Sequence, residues 1–315
     1  MLGEVSTVAE NKNGNSCSLA AEGKCPGSAS CNEPDAASCG ASAGPKESGP
    51  PTVLEPNDSS EIEHVIAIAS GKGGVGKSSV TGMLAVTLAR QGHKVGVLDA
   101  DITGPSIPKI FGLKETPGQV GNYILPVKSK ELNIKVMSIN LMLENEDDPI
   151  IWRGPILGTA IKQFWTDVAW GKLDYLLVDL PPGTGDVPLT VMQMLPVTGL
   201  VMVSSPQELA TLVVGKAIKM AKIMNVPIIG LIENMSYAEC PKCGEKIELF
   251  GPSRAEEVSA KTGIPVMTKL PIDPSLAQLC DRGEIEKYEN EALQGIPSIF
   301  EKRMKELPKS QSSAD

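Results

Sequence analysis

Val65-Ile66-Ala67-Ile68-Ala69-Ser70-Gly71-Lys72-Gly73-Gly74-Val75-Gly76-Lys77-Ser78 decides the fold of this chain. Five apolar residues run without a break into a glycine-rich turn, and a lysine and a serine close it. An unbroken apolar run of this length suits a strand buried on both faces of a parallel sheet. The glycines admit a tight curl in which successive backbone N–H groups point inward at phosphate oxygens. A helix opening directly afterwards adds the partial positive charge of its N-terminus. The spacing matches the G-x4-G-K-[ST] phosphate loop in its strand–loop–helix setting. Gly71, Lys72, Gly73, Gly74, Val75, Gly76, Lys77, Ser78 and Ser79 are therefore expected to bind a nucleotide. Lys77 should reach the β and γ phosphates, and the Ser78 hydroxyl should help to hold Mg²⁺. The bland alternative is a glycine-rich turn without a ligand.

The same texture continues outward from residue 64. Short Val/Ile/Leu runs predict strands over 65–69, 95–99, 134–138, 175–179, 200–204, 227–232 and 266–270. Longer periodic stretches predict helices over 77–90, 156–168, 206–224, 253–262 and 274–280, with a last one over about 291–307. Strand–helix alternation of this kind means an α/β, doubly wound, mainly parallel sheet.

The 315 residues would allow about two domains on length alone. Residues 1–60 change that expectation, because they lack Phe, Trp, Tyr and Ile and are rich in Gly, Ala, Ser, Asn and Pro. Such a segment buries too little apolar surface to offset its ordering entropy and reads as a flexible tail. The expected organisation is a tail over 1–60, one catalytic domain over 61–309 and a polar end over 310–315. The net charge of -9 and the 3% aromatic content disfavour a nucleic-acid binder, which needs a basic footprint and stacking rings. No apolar run is long enough to span a membrane, and no secretory leader is read at the N-terminus. A cytoplasmic protein without nucleic-acid or membrane partners is expected. Seven cysteines in such a chain point to metal or redox chemistry rather than structural disulfides.

Further carboxylates fall at strand ends, where open α/β sheets bind ligands. The second strand ends in Asp99-Ala100-Asp101, and another ends in Asp179-Leu180-Pro181-Pro182-Gly183-Thr184-Gly185-Asp186. Asp99 and Asp179 are candidate Mg²⁺ residues with Ser78, and Asp101 is the candidate for orienting the attacking water. The alternative for any single aspartate is an ordinary strand end or helix cap, and Asp186 can cap the helix after it. The set implies nucleotide hydrolysis, with Lys72, Lys77 and Asp101 as its catalytic residues.

Lys72, directly after the first glycine, is not required by the general loop. The deviant form K-G-G-x-G-K-[ST] resembles that of the MinD, ParA and nitrogenase iron-protein superfamily. In that superfamily this lysine crosses a dimer interface to the partner's nucleotide, so the resemblance implies an ATP-dependent homodimer. A solvated surface lysine is the alternative. Further stretches are similar to one branch, the Mrp (ApbC) iron–sulfur carrier ATPases, with the eukaryotic nucleotide-binding-protein scaffolds as cousins. They are Asp101-Ile102-Thr103-Gly104-Pro105-Ser106-Ile107-Pro108, Trp152-Arg153-Gly154-Pro155, the Asp179–Asp186 run, Glu233-Asn234-Met235-Ser236 and Cys240-Pro241-Lys242-Cys243. The resemblance spans about residues 62 to 300. It implies that Asn234 contacts adenine and that Pro271 and Asp273 border the same base.

Cys240 and Cys243 form a C-x2-C turn that brings two sulfurs near one metal or cluster. Most such sites need four thiolates, and two chains meeting on a twofold axis would supply them. The resemblance names the cargo as a [4Fe–4S] cluster bridging the subunits, passed on to apo iron–sulfur proteins. A zinc knuckle across the dimer and a thiol–disulfide pair are the alternatives. Cys17, Cys25, Cys31 and Cys39 in the tail do not match the cousins' C-x13-C-x2-C-x5-C pattern. They are candidates for a second cluster, with zinc or free thiols as the other readings. Cys280 reads as a small semi-buried hydrophobe, and His64 and His93 as strand-flanking or surface residues. The rival functions are a MinD/ParA-like positioning ATPase and a nitrogenase-iron-protein-like electron donor. The polar, slightly acidic C-terminus disfavours the first, and the adjacent cysteine pair disfavours the second.

Overall fold

Alternation along the first strand builds both cores at once. In β1 (Ser60–Ser70), Val65, Ala67 and Ala69 face one side of the sheet and Ile66 and Ile68 the other, as the two-residue period of a strand requires. The computed structural model describes residues 53–101, 104, 106–143 and 154–306. The tail cysteines Cys17, Cys25, Cys31 and Cys39, the motif residues Ile102, Thr103, Pro105, Trp152 and Arg153, and the C-terminal segment 310–315 lie outside them.

After β1 the chain forms α1 (Lys77–Arg90), β2 (Val95–Asp99), α2 (Ile107–Ile110) and a hairpin of β3 (Gly118–Val120) and β4 (Tyr123–Leu125). Next come β5 (Val127–Lys128), β6 (Lys135–Ser138), α3 (Gly154–Thr166), β7 (Gly171–Asp179), α4 (Asp186–Met194), β8 (Val197–Ser204) and α5 (Glu208–Ile223). The last part holds β9 (Ile228–Glu239), β10 (Lys246–Ile247), α6 (Ala255–Thr262), β11 (Val266–Pro271), α7 (Pro274–Arg282) and α8 (Ile296–Glu306). The main sheet runs β10-β9-β8-β1-β7-β2-β6-β5, with β11 also on β9. Within that sheet, among the described residues, only β5 against β6 and β10 against β9 are antiparallel. The seven predicted strands and the helices between them are all present, and α1 and β2 have the predicted bounds.

One core face packs Phe164, Trp165, Trp170 and Val191 against the sheet, and the other packs Leu84, Leu88, Ile285, Ile296 and Phe300. Strands buried on both faces are the expected state of a parallel sheet covered by helices.

The structure departs from the sequence reading at four places. Leu54 and Asn57, assigned to the tail, are tied to the core: the Leu54 N–H donates to the Met194 carbonyl at 2.8 Å and its carbonyl accepts from Trp165 Nε1 at 2.9 Å. The Asn57 amide donates to the carbonyls of Thr166 and Val168 at 2.9 and 2.8 Å. Side-chain-to-backbone bonds of this type leave no apolar pattern to read. β9 continues seven residues beyond the predicted Ile232. Asp186 does not cap α4: Gly185 holds the N-cap position and Asp186 is the first helical residue, where its charge still favours the helix N-terminus. The β3–β4 hairpin turns on Gly121-Asn122, with Gly121 at φ 59.

Near the end of the chain two glycines meet backbone to backbone. Gly112, after α2, and Gly283, after α7, have φ 65 and φ 70. A Cβ on Gly112 would sit 2.7 Å from the Gly283 carbonyl oxygen, and one on Gly283 would collide with the Gly112 Cα.

Candidate functional site

The C-terminal ends of β1, β2 and β7 open onto a cleft of about 250 Å³, where open α/β sheets bind their ligands. The loop from Lys72 to Ser79 lines one side, and Asp101, Ser106 and Pro182 line the other. Gly76 takes the N-cap position of α1 at φ 75, and no side chain caps the helix. The first-turn N–H groups are thus left for an anion. A Cβ on Gly76 would collide with the Asn234 amide.

Beneath the loop the polar groups are buried and paired. The Lys77 ammonium lies 2.8 Å from Asp179 Oδ1 and 3.9 Å from Asp101 Oδ2, with Lys77 6% and Asp179 0% exposed. The Ser78 hydroxyl donates to Asp179 Oδ2 at 2.5 Å. One turn further along α1, the Thr81 hydroxyl lies 2.7 Å from Asp179 Oδ1 and 3.1 Å from the Lys77 carbonyl. Asp99 is the register partner of Asp179 on β2. Its oxygens accept from the N–H groups of Asp101 and Ile107 and from the Ser138 hydroxyl, each at 3.2 Å. Burial, and then the neighbouring Asp179 charge, push the Asp99 pKa from 3.8 up to about 8, against the pull of the Ile107 N–H and Lys77. Asp99, buried beside a second carboxylate, therefore holds its proton toward neutral pH.

The structure brings the predicted loop residues and Asp101 into one cleft, with Lys77, Ser78 and Asp179 in contact. Asp99 stands apart: its partners are the start of α2 and Ser138, not Ser78. Asn234, on β9, is 4% exposed and its amide donates to the Val75 carbonyl at 2.9 Å, bracing the loop. Pro271 pairs with Tyr237 at the far end of β9. Asp273 caps α7 by accepting from the Ser275 N–H at 2.8 Å, and accepts from the Tyr288 hydroxyl at 3.0 Å. Burial alone would raise its pKa; these hydrogen bonds outweigh that and lower it. Neither Pro271 nor Asp273 lines the cleft. The Lys72 ammonium donates to the Gln207 side chain of the same chain.

Cys240 and Cys243 lie at the opposite extreme of exposure. β9 extends past its last partner on β8, and β10 folds back onto its tip. The Cys240 N–H donates to the Glu245 carbonyl and the Gly244 N–H to the Cys240 carbonyl, both at 2.9 Å, with Gly244 at φ 73. This turn presents a half-exposed Cys240 and an exposed Cys243. The N–H groups of Lys242 and Cys243, then the Cys243 thiol, hold the Cys240 pKa below the usual thiol value. Among the described residues no group of three or more His, Cys, Asp or Glu is placed to hold a metal ion. Ile247, Leu249 and Phe250, just beyond the turn, are 47%, 59% and 41% exposed. Cys280 is half-buried on α7 beside Ser79, where burial raises its pKa.

Sequence reasoning missed Thr81, Ser138 and Gln207. Thr81 was within reach, because a residue four positions after Lys77 shares its helix face. Ser138 and Gln207 meet the site through strand register and loop packing, which no local spacing announces.

Comparison with known proteins bears on the same region. The family model described as ParA, NUBPL iron-transfer P-loop NTPase, matches residues 61–305. The iron-sulfur cluster carrier protein of Clostridium perfringens is 46% identical over 268 residues, covering 82% of this chain and 93% of the relative. That of Methanocaldococcus jannaschii is 48% identical over 226 residues, covering 71% and 78%. Among solved structures, the nucleotide-binding protein of Archaeoglobus fulgidus in complex with ADP is 49% identical, with a TM-score of 0.67 over 74% of this chain and 91% of that one. MinD of Aquifex aeolicus, at 22% identity and a TM-score of 0.54 over 79% and 100%, shares the fold alone. Among the described residues no helix is long and apolar enough to cross a membrane. A phosphate loop at the head of a parallel sheet, matched across most of the chain, makes this protein a member of the NUBPL iron-transfer P-loop NTPases.

Proposed function

We propose that the chain binds and hydrolyses ATP to load or release a [4Fe–4S] cluster, held between two copies and passed to apo iron–sulfur proteins in the cytoplasm. The observation that carries this reading is β9. One strand holds Asn234, which braces the phosphate loop, and ends at Glu239, directly before Cys240. Between them β9 is continuous but irregular: Met235 takes φ 57, and the register against β11 shifts between Lys269 and Pro271. A change in the loop on nucleotide binding therefore has one continuous, kinked strand as its path to the cysteine turn. The cysteine turn supplies two thiolates, and a twofold copy would complete four. Exposed Ile247, Leu249 and Phe250 beside the turn give that contact an apolar border. Ser78 and Asp179 are the pair fitted to Mg²⁺, the hydroxyl directly and the carboxylate through water; the ion would neutralise phosphate charge. Asp101, on the wall facing the loop, is assigned to the attacking water, and Lys72 to the partner's nucleotide on leaving Gln207. Asn234, Pro271 and Asp273 are assigned to the base side, residues 61–309 to the carrier domain, and residues 1–60 to a tail whose cysteines are a candidate second site.

The test is anaerobic reconstitution of the full chain with iron and sulfide, using a background in which Cys17, Cys25, Cys31 and Cys39 are replaced by Ser. One cluster per two chains is expected, with a dimeric mass. Cys240→Ala or Cys243→Ala should remove the cluster and leave ADP affinity unchanged. Undiminished iron in either variant would refute the bridge.

A further inference from the structure

A parallel sheet has two edges, and the phosphate loop uses only one. At the other, where β2, β6 and β7 begin, lies a cleft of about 500 Å³. Lys94, Lys128, Lys135 and Lys172 line it together with His93, and no carboxylate does. Strand register sets the cluster: Lys128 faces Lys135 directly across the β5–β6 pair, and Lys135 is level with Gly96, two residues beyond Lys94. Like charges directly opposed on an antiparallel pair are destabilising, and here they are concentrated on a chain whose net charge is -9.

Local counter-charge is sparse. Lys172 pairs with Glu61 at 3.2 Å on the open surface, and His93 approaches Asp174 at 3.9 Å and Glu301 at 3.8 Å. Lys94, Lys128 and Lys135 make no ion pair among the described residues. The Lys135 ammonium donates to the Trp170 carbonyl, while burial and then the charges of Lys128 and Lys94 hold its pKa below the usual lysine value. The loop between Lys128 and Lys135 is fixed in place. Buried Glu286 accepts from the Ser129 hydroxyl at 2.6 Å and the Leu132 N–H at 2.8 Å, and the Ser129 oxygen accepts from the Ile134 N–H at 2.8 Å. Unpaired cations on a rigid frame are preorganised donors, which lowers the ordering cost of capturing an anion.

We propose that this cleft is a second ligand site, on the sheet edge opposite the nucleotide, for a small molecule carrying two or three phosphate or carboxylate groups. Its size lies within the range of small-molecule pockets, and its donors are point charges that attract an oxyanion without discriminating finely among shapes.

Calorimetric titration of the full chain, saturated with ADP to occupy the phosphate loop, tests the site with inorganic tripolyphosphate and, separately, citrate. One anion per chain is expected, bound more weakly as salt screens the charges. Whichever anion binds more tightly identifies the ligand as phosphate-like or carboxylate-like. Lys94→Ala and Lys128→Ala should each weaken binding about fivefold, as loss of one exposed charge contact does, and Lys128→Glu should abolish it. ADP affinity should be unchanged in all three, and Lys305→Ala on α8 should leave anion binding intact. Absence of saturable binding, binding only when ADP is withheld, or an equal loss in Lys305→Ala would overturn the proposal. So would capture of a polyglutamate peptide by a chain that ignores both small anions.

Discussion

The phosphate loop, braced from the middle of β9, and the cysteine turn at the end of that strand are built on opposite plans. Lys77 and Asp179 are buried and already partnered within one chain, down to the hydroxyls of Ser78 and Thr81 on Asp179. Around Cys240 the side chains are exposed and the ligand set is half of what a cluster requires. A site complete in one chain can be tested by breaking its pairs. An incomplete one is tested by what it reacts with or recruits. Under the proposed function, this difference leaves the nucleotide chemistry held within the chain and the cluster chemistry to a partner copy.

The largest effect should come from breaking the buried pair. Lys77→Ala is expected to weaken ADP binding about 100-fold, since charge-assisted hydrogen bonds contribute about 1.5–3 kcal/mol each, and to lower stability by stranding Asp179. Adding Asp179→Asn should recover part of the stability and none of the affinity. Titration and thermal melts of the single and double variants decide it, and recovered affinity would contradict the role given to Lys77.

The second effect concerns the proton held by Asp99. Between pH 3.8 and about 8 the folded chain keeps a proton on Asp99 that the unfolded chain releases. Stability from this group is therefore full below the lower value, falls as pH rises through the window and levels off above the upper one. Asp99→Asn should flatten that slope in melts taken from pH 5 to 8; an unchanged slope would place the proton elsewhere.

The smallest effect separates the thiols. Backbone N–H groups lower the Cys240 pKa while burial raises that of Cys280, and the thiolate is the reactive form. Alkylation of the apo-protein at neutral pH, followed by peptide mass, should label Cys240 about tenfold faster than Cys280. Equal rates would mean that the turn does not activate its cysteine.

The legible parts of this molecule were those whose physics is local. The α1 boundaries follow from a glycine that must take positive φ before Lys77 and a basic residue at the end, and β2 is an apolar run closed by Asp99. The cleft was legible because strand ends and phosphate loop coincide in any sheet of this type. β9 was cut short because Glu233, Asn234 and Ser236 look like the start of a loop. They are buried strand residues whose polar atoms find partners, Ser236 on Glu233 at 2.5 Å and Asn234 on Val75. The bracing of the phosphate loop by Asn234, and the separation of Asp99 from Ser78, depend on which strands become neighbours. That is a property of topology, and spacing along one chain does not carry it.

The Gly112–Gly283 contact links two other parts of the site. α2 follows Ser106, which lines the cleft, and α7 follows its N-cap Asp273. Where two backbones touch with no side chain between them, nothing soft is present to absorb a displacement. A movement of the wall that carries α2 along must carry the end of α7 with it, as one half of a hinge drags its pin. The molecule thus has a mechanical linkage from the cleft wall to α7 that bypasses the sheet, and it consists of the absence of two methyl groups.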